Sequence, residues 1–219
     1  MSVIQTVPTR TAADLSADLG VAPERVLMDP PPGTATEADL IAWNERWDRS
    51  GLCELVDGIL VEKPMGLPEA YLAVELAFLI RLYLQSNPVG FLAGADAPIR
   101  FAPGRVRLPD VSFVSWVRRP ERTVPRNPVS DLVPNLAVEV LSPSNTRREM
   151  ADKRAEYFAA GVELVWQIDP DTRSAEVYTS PTAVAAVPPG GALDGGAVLP
   201  GLSIPLARLF AGLDPPPAP

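Results

Sequence analysis

The chain has 219 residues, 47% of them hydrophobic, enough to bury a substantial core as one α/β domain with appendages. Its 19 basic and 27 acidic residues leave a net charge of −8, which argues against nonspecific coating of nucleic acid, although a local basic patch is compatible with it. One cysteine, Cys53, excludes an intrachain disulfide and a cysteine zinc site, and the absence of histidine excludes Ser-His-Asp, Cys-His and HExxH chemistry, leaving carboxylates, lysine, tyrosine, hydroxyls and hard, oxygen-bound ions such as magnesium.

The N-terminal MSVIQTVPTR lacks the basic start and apolar core of a signal peptide, and no stretch reaches the apolar length of a membrane span. With the lone cysteine, these features predict a soluble cytoplasmic protein. Residues 1–35, with a helical TAADLSADLG and a breaker-rich MDPPPGT, read as an N-terminal arm. Thr36 is expected to cap a helix through about Ser50, with Leu40, Ile41, Trp43 and Trp47 as its apolar positions. CELVDGILVEKP reads as two strands joined at Asp57-Gly58, and Pro68 as the first residue of a long, densely apolar helix.

Short strands and turns follow from Val89 to Val117, with a hairpin at residues 102–105 and Asp110 at the entry of an apolar strand in RLPDVSFVSW. A polar loop from Arg118 to Pro134 carries Arg118, Arg119, Arg122 and Arg126. LAVEVL is the predicted central strand; Thr146 opens a helix with Glu149 at capping-box spacing, and Gly161 closes it. VELVWQID and SAEVYTS are strands, residues 181–196 a Pro/Gly/Ala-rich surface stretch, and SIPLARLFAGL a docking strand and short helix. The domain is expected to span 36–212, with 213–219 a disordered tail.

Two carboxylates sit on apolar strands, Asp110 and Glu139. A buried charge must pair, protonate or hold a cation, and a metal between neighbouring strands is the reading that uses both acids. The bland alternative makes Asp110 a turn acid and pairs Glu139 with an arginine. Only Lys63 and Lys153 among the 19 basic residues are lysines, so an ammonium at Lys153 suits a role beside a metal-bound water and a phosphate oxygen. Its alternative is an exposed helix pair with Glu149. Glu54 reaches the same cleft or stays a surface strand acid. Ser142, Ser144 and Asn145 shape the LSPSNT turn, or a serine works with Lys153. Tyr157 reads as a packing residue with a bonded hydroxyl, and Trp116 and Trp166 as core or rim aromatics.

The ordered set CELVDGILVEKPMG, RLPDVSFVSW, LAVEVLSPSNT, KRAEYFAAGV, ELVWQIDP and LDGGAVLPGLSIPLARLF resembles the Uma-two family of bacterial restriction-endonuclease domain proteins, over roughly residues 36–212. That family in turn resembles the PD-(D/E)XK nuclease superfamily. The resemblance implies a restriction-endonuclease-like α/β (α+β) fold, a mixed central sheet flanked by helices, with Asp110 and Glu139 as the metal-binding acids. Leu141 stands where the superfamily lysine is usual, so the resemblance moves that role to Lys153 and makes Glu54 a fourth member of the site. The family's histidine ahead of the long helix is missing from Met65-Gly66-Leu67-Pro68. The implied activity is magnesium-dependent hydrolysis of DNA phosphodiester bonds, with manganese as a substitute and the Val140 carbonyl as a further metal ligand. Arg147, Arg148 and Arg154, with the arginines of the 118–126 loop, are the implied phosphate contacts, a solvated charged face being the alternative for each, and a homodimer is the implied assembly. The competing reading is a catalytically inactive nuclease-fold binding module or oligomeric scaffold.

Overall fold

The computed structural model describes residues 11–46, 48, 51–64 and 66–213. Helix α1, Ala12–Leu19, opens on a full capping box between Thr11 and Asp14 and ends at Gly20 in the left-handed region. Leu15, Val21 and Val26 of this segment pack on Val56, Ile59 and Val61, and Val26 bridges to Val61, so the expected arm is part of the core. Helix α2, Glu37–Asn44, starts on the predicted Thr36 cap but ends short of Ser50. Asn44 stops it: its side chain exchanges hydrogen bonds with the Cys53 backbone, at 3.1 and 2.8 Å, and turns the chain into the next strand. Trp47, Ser50, Met65 and the tail from residue 214 lie outside the described residues; Leu213, placed in that tail by the sequence, belongs to a short helical turn against the main core.

Strands β1, Cys53–Val56, and β2, Ile59–Glu62, form the predicted hairpin, with Asp57 and Gly58 both at positive φ as its tight turn requires. Helix α3, Leu67–Ser86, buries Leu72, Leu76, Leu79, Ile80 and Leu84. Then come β3, Gly90–Ala93, β4, Ile99–Ala102, β5, Arg105–Arg107, β6, Val111–Ser115, and β7, Leu136–Val140. Helix α4, Arg147–Ala160, crosses from β7 to its parallel neighbour β8, Leu164–Asp169. Strand β9, Ser174–Tyr178, follows antiparallel, then β10, Val184–Val187, and β11, Ala192–Asp194. The stretch lies largely on the surface, as expected, but its backbone is paired into these last two strands. Strand β12, Ser203–Pro205, and helix α5, Leu206–Leu209, complete the described fold.

The main sheet runs β10-β9-β8-β7-β6-β3, a second sheet runs β2-β1-β5-β4, and β11 pairs with β12. The main core fills the space between α3, α5 and one face of the large sheet, around Phe113, Leu136, Val138 and Trp166. Burying apolar area there is the largest stabilising contribution, about 25 cal/mol per Å². The link Leu108-Pro109 carries the chain from β5 in one sheet to β6 in the other, and helix α4 touches β4. Side chains of both sheets and of α4 therefore meet at one place.

Candidate functional site

Asp110 stands one residue ahead of β6, and its N–H donates to the Val138 carbonyl at 2.9 Å. The β6–β7 register pairs Val111 with Val138, so one step further it sets Asp110 opposite Glu139. Asp110 Oδ2 accepts the Val140 N–H at 2.7 Å, and Oδ1 faces Lys63 Nζ at 2.7 Å. From the other sheet, Glu54 on β1 lies across from Arg107 on β5, by the same extension of the Leu55–Val106 register. From α4, Lys153 and Tyr157, one turn apart, project to the same place. Lys153 Nζ lies 3.0 Å from Glu54 Oε1 and 3.4 Å from Glu139 Oε2, while the Tyr157 hydroxyl donates to Glu139 Oε1.

All four candidate site residues predicted from the sequence thus converge, and all are buried: Glu54 is 0% exposed, Lys153 1%, Glu139 4% and Asp110 7%. This overturns three bland readings. Glu54 is no surface acid. Lys153 is not an exposed partner of Glu149, whose carboxylate instead forms a two-pronged pair with Arg25 at 2.6 and 2.8 Å. Glu139 is held by a lysine and a tyrosine, not an arginine. At the α4 N-terminus, Thr146 accepts the Glu149 N–H at 3.0 Å, but with Glu149 drawn to Arg25 only half of the capping box is made.

Several members of the network escaped sequence reasoning. Arg107 donates to Glu54 Oε2 at 3.0 Å and, through two nitrogens, to Glu156 at 2.8 Å each. Lys63 completes the set, so both lysines of the chain lie in one buried acid cluster; lysine scarcity was the available signal for it.

The electrostatics divide the two glutamates. Burial alone would raise the Glu54 pKa, but Lys153 and Arg107, with the Leu108 N–H, hold it down to about 2. Burial pushes Glu139 up to about 7; Lys153 opposes the rise, and the neighbouring Asp110 and Glu54 charges add to it. Burial also works against the Lys153 charge, yet Glu139, Glu54 and Glu149 keep its pKa above the ordinary lysine value. Glu54 is thus held toward its charged form and Glu139 pushed toward its neutral one.

Asp110, Glu139 and the backbone carbonyls beside them are hard oxygen donors, and two carboxylates suit an ion that keeps water in its remaining positions. Glu139 has a tyrosine hydroxyl and an ammonium shared with Glu54 as its partners, whereas Glu54 also has Arg107, so Glu139 is the glutamate of the pair with the lesser cationic pairing. Among the described residues no group of three or more His, Cys, Asp or Glu side chains is placed to hold a metal, so protein ligands beyond the two acids would have to be carbonyls.

Two grooves flank α4. One, about 970 Å³, runs between α1, the β1–β2 hairpin and α4, and is bordered by Arg107 and Glu156. The other, about 670 Å³, opens beyond the ends of β7 and β8 and is lined by Arg147, Arg154, Asn145 and Gln167, the last being the β8 neighbour of Glu139. Arg154 lies over the Tyr178 ring at 3.9 Å and donates to the Pro181 carbonyl at 2.9 Å and to Gln167 Oε1 at 3.4 Å. Arg148 instead donates to the Ala17 and Asp18 carbonyls, and Arg118 to those of Val133, Pro134 and Gly161. Ser142 bonds Asn145 and Ser144 within its turn, while Lys153 is held by Glu54 and Glu139, so the serine and lysine pairing is not formed. No helix among the described residues is long and apolar enough to cross a membrane.

Residues 39–207 match the model of the Uma2 family, described as "Putative restriction endonuclease". A solved structure described as a "putative nuclease belonging to DUF820", from Anabaena variabilis ATCC 29413, aligns with a TM-score of 0.67 at 18% identity, covering 78% of this chain and 96% of that one. At that identity the likeness shows a shared fold, the mixed sheet flanked by helices expected from the sequence. No curated protein matches the chain.

Proposed function

The chain belongs to the Uma2 family, and on that premise we propose that it is a metal-dependent endonuclease hydrolysing DNA phosphodiester bonds at the Asp110, Glu139, Lys153 and Glu54 cluster. The observation that carries this reading is the juxtaposition of Asp110 and Glu139 across neighbouring strands with a buried, charged Lys153 beside them. Asp110, Glu139 and the Val140 carbonyl would hold magnesium, or manganese in its place, which would supply an acidified water and positive charge against the phosphate. Lys153 would orient that water and stabilise the negative charge that grows on the phosphoryl oxygens. Glu54, gripped by Arg107 and the Leu108 N–H, would fix the ammonium, and Tyr157 would fix Glu139. Arg147 and Arg154, on the groove next to Gln167, would meet backbone phosphates.

The test is calorimetric titration of magnesium and manganese into the protein and its Glu139→Ala variant, followed by incubation of each with plasmid DNA. The expected result is metal binding and nicking by the parent, with both lost in the variant. Metal binding retained in full by Glu139→Ala would remove Glu139 from the site.

A second reading, a catalytically inactive module of the same fold, is favoured by one feature: every acid of the cluster already has a cationic, N–H or O–H partner within the chain. It predicts no metal binding by either protein.

Cutting both strands suits two copies, and the proposed homodimer has an apolar surface available. Leu67, Val74, Phe78 and Leu82 are exposed along one side of α3, at helical spacing. Phe78→Asp is expected to convert a dimer to a monomer in sedimentation velocity, with an unchanged circular dichroism spectrum and a melting temperature that no longer rises with protein concentration; an unaltered dimer would move the interface elsewhere.

A further inference from the structure

Lys63 leaves β2 and turns inward, 5% exposed, where its ammonium meets three oxygens. Asp110 Oδ1 lies at 2.7 Å, the Leu108 carbonyl at 2.5 Å and the Ala95 carbonyl at 3.2 Å. Two of the ammonium's N–H donors go to the carbonyls, and the Asp110 carboxylate pairs with it as an ion. A carboxylate with two backbone carbonyls is also the donor chemistry of a hard-cation site. Lys63 therefore fills with a tethered monovalent cation a cage that an untethered ion could fill. Asp110 Oδ2 already accepts the Val140 N–H, so an ammonium and a divalent ion would both need Oδ1 and the space beside it, and the two exclude one another there by occupancy, with their repulsion adding to the clash.

We propose that Lys63 is an internal competitor for the divalent metal at Asp110: metal takes Asp110 Oδ1 only when the Lys63 ammonium withdraws. This rests on the metal-dependent reading above and adds to it a determinant of metal affinity that belongs to this chain. Asp110 is neutralised in both states, by Lys63 before metal arrives and by the metal afterwards, so a buried carboxylate is never left unpaired.

The chain's two lysines make the exchange directly readable. The wild-type protein is treated with an amine-acetylating ester with and without manganese at a concentration that calorimetry shows to be saturating, and acetylation at Lys63 and Lys153 is mapped by mass spectrometry. Lys63 is expected to be protected without metal and acetylated at least about 10-fold faster with it, while Lys153 stays protected. As a second measurement, Lys63→Gln is expected to bind manganese about 10-fold more tightly than the parent, and manganese is expected to raise its melting temperature more than the parent's. Manganese binding with unchanged Lys63 acetylation overturns the competition and leaves the metal-dependent reading standing. Absence of manganese binding by the parent and by Lys63→Gln overturns both.

Discussion

Glu54→Gln is expected to lower the stability of the protein by about 3–5 kcal/mol at neutral pH, the cost of breaking a buried ion pair from one side. Glu54 is fully buried and spends one oxygen on Lys153 and the Leu108 N–H and the other on Arg107. A neutral amide would leave Lys153 facing Glu139, the glutamate least disposed to carry charge, and would leave Arg107 with Glu156 alone. The same residue governs the acid limb of stability. Its folded pKa, about 2, lies below the ordinary 4.5, so its contribution is complete above about pH 4.5 and is lost as pH falls toward 2. At 1.36 kcal/mol per pH unit that span is worth about 3 kcal/mol, to order of magnitude. Urea unfolding of parent and variant from pH 2 to pH 7 reads both effects. The variant should be weaker at pH 7 and show a shallower loss below pH 4.5. Equal stability at pH 7 with an unchanged acid limb would mean that Glu54 is not the anchor of the cluster.

Asp110 and Glu139 were legible as a pair because an acid in an apolar strand is conspicuous and because two such strands close in the chain tend to be neighbours. Lys153 was legible through scarcity, in a chain whose cations are nearly all arginine. The same scarcity marked Lys63, but its place at the end of a hairpin suggested no use for it. Arg107 was hidden for the opposite reason: it is one arginine among many, and its partners Glu54 and Glu156 lie 53 and 49 residues away.

Backbone pairing explains the other gap. Strand β10 is largely exposed, and its Val-Ala-Ala-Val carries no alternation of buried and solvent positions; what makes it a strand is its ladder to β9. Tertiary context likewise shortens α2, through an Asn44 side chain whose partner is in the next strand. Local propensity and pattern cannot report such contacts. They could report the capping of α4 by Thr146, which is made, but not the diversion of Glu149 to Arg25, 124 residues away.

The second large effect separates chemistry from architecture. Lys153→Met is expected to reduce single-turnover nicking of plasmid DNA by about 10²–10³-fold, the usual loss when a positioned donor to developing charge is removed. Manganese affinity should not fall, since the substitution removes a positive charge from beside Glu139, 3.4 Å away, and takes away no oxygen ligand. Methionine keeps the length and apolar stem of lysine, but Glu54 then keeps only Arg107 and the Leu108 N–H and Glu139 only the Tyr157 hydroxyl. The variant is therefore expected to lose stability on the scale of Glu54→Gln and is assayed where circular dichroism shows it folded. The pairing of retained metal with lost cleavage is what distinguishes an ammonium acting on the phosphate from one that merely neutralises acids. If Lys153→Met nicks DNA as fast as the parent, the cluster's lysine is architectural, and the charge that meets the phosphate comes from elsewhere, with Arg147 and Arg154 on the adjoining groove the first to examine. If metal binding is lost together with cleavage, Lys153 acts by holding Glu139 in place, a positioning role that Lys153→Arg would restore in part, since a guanidinium keeps the charge.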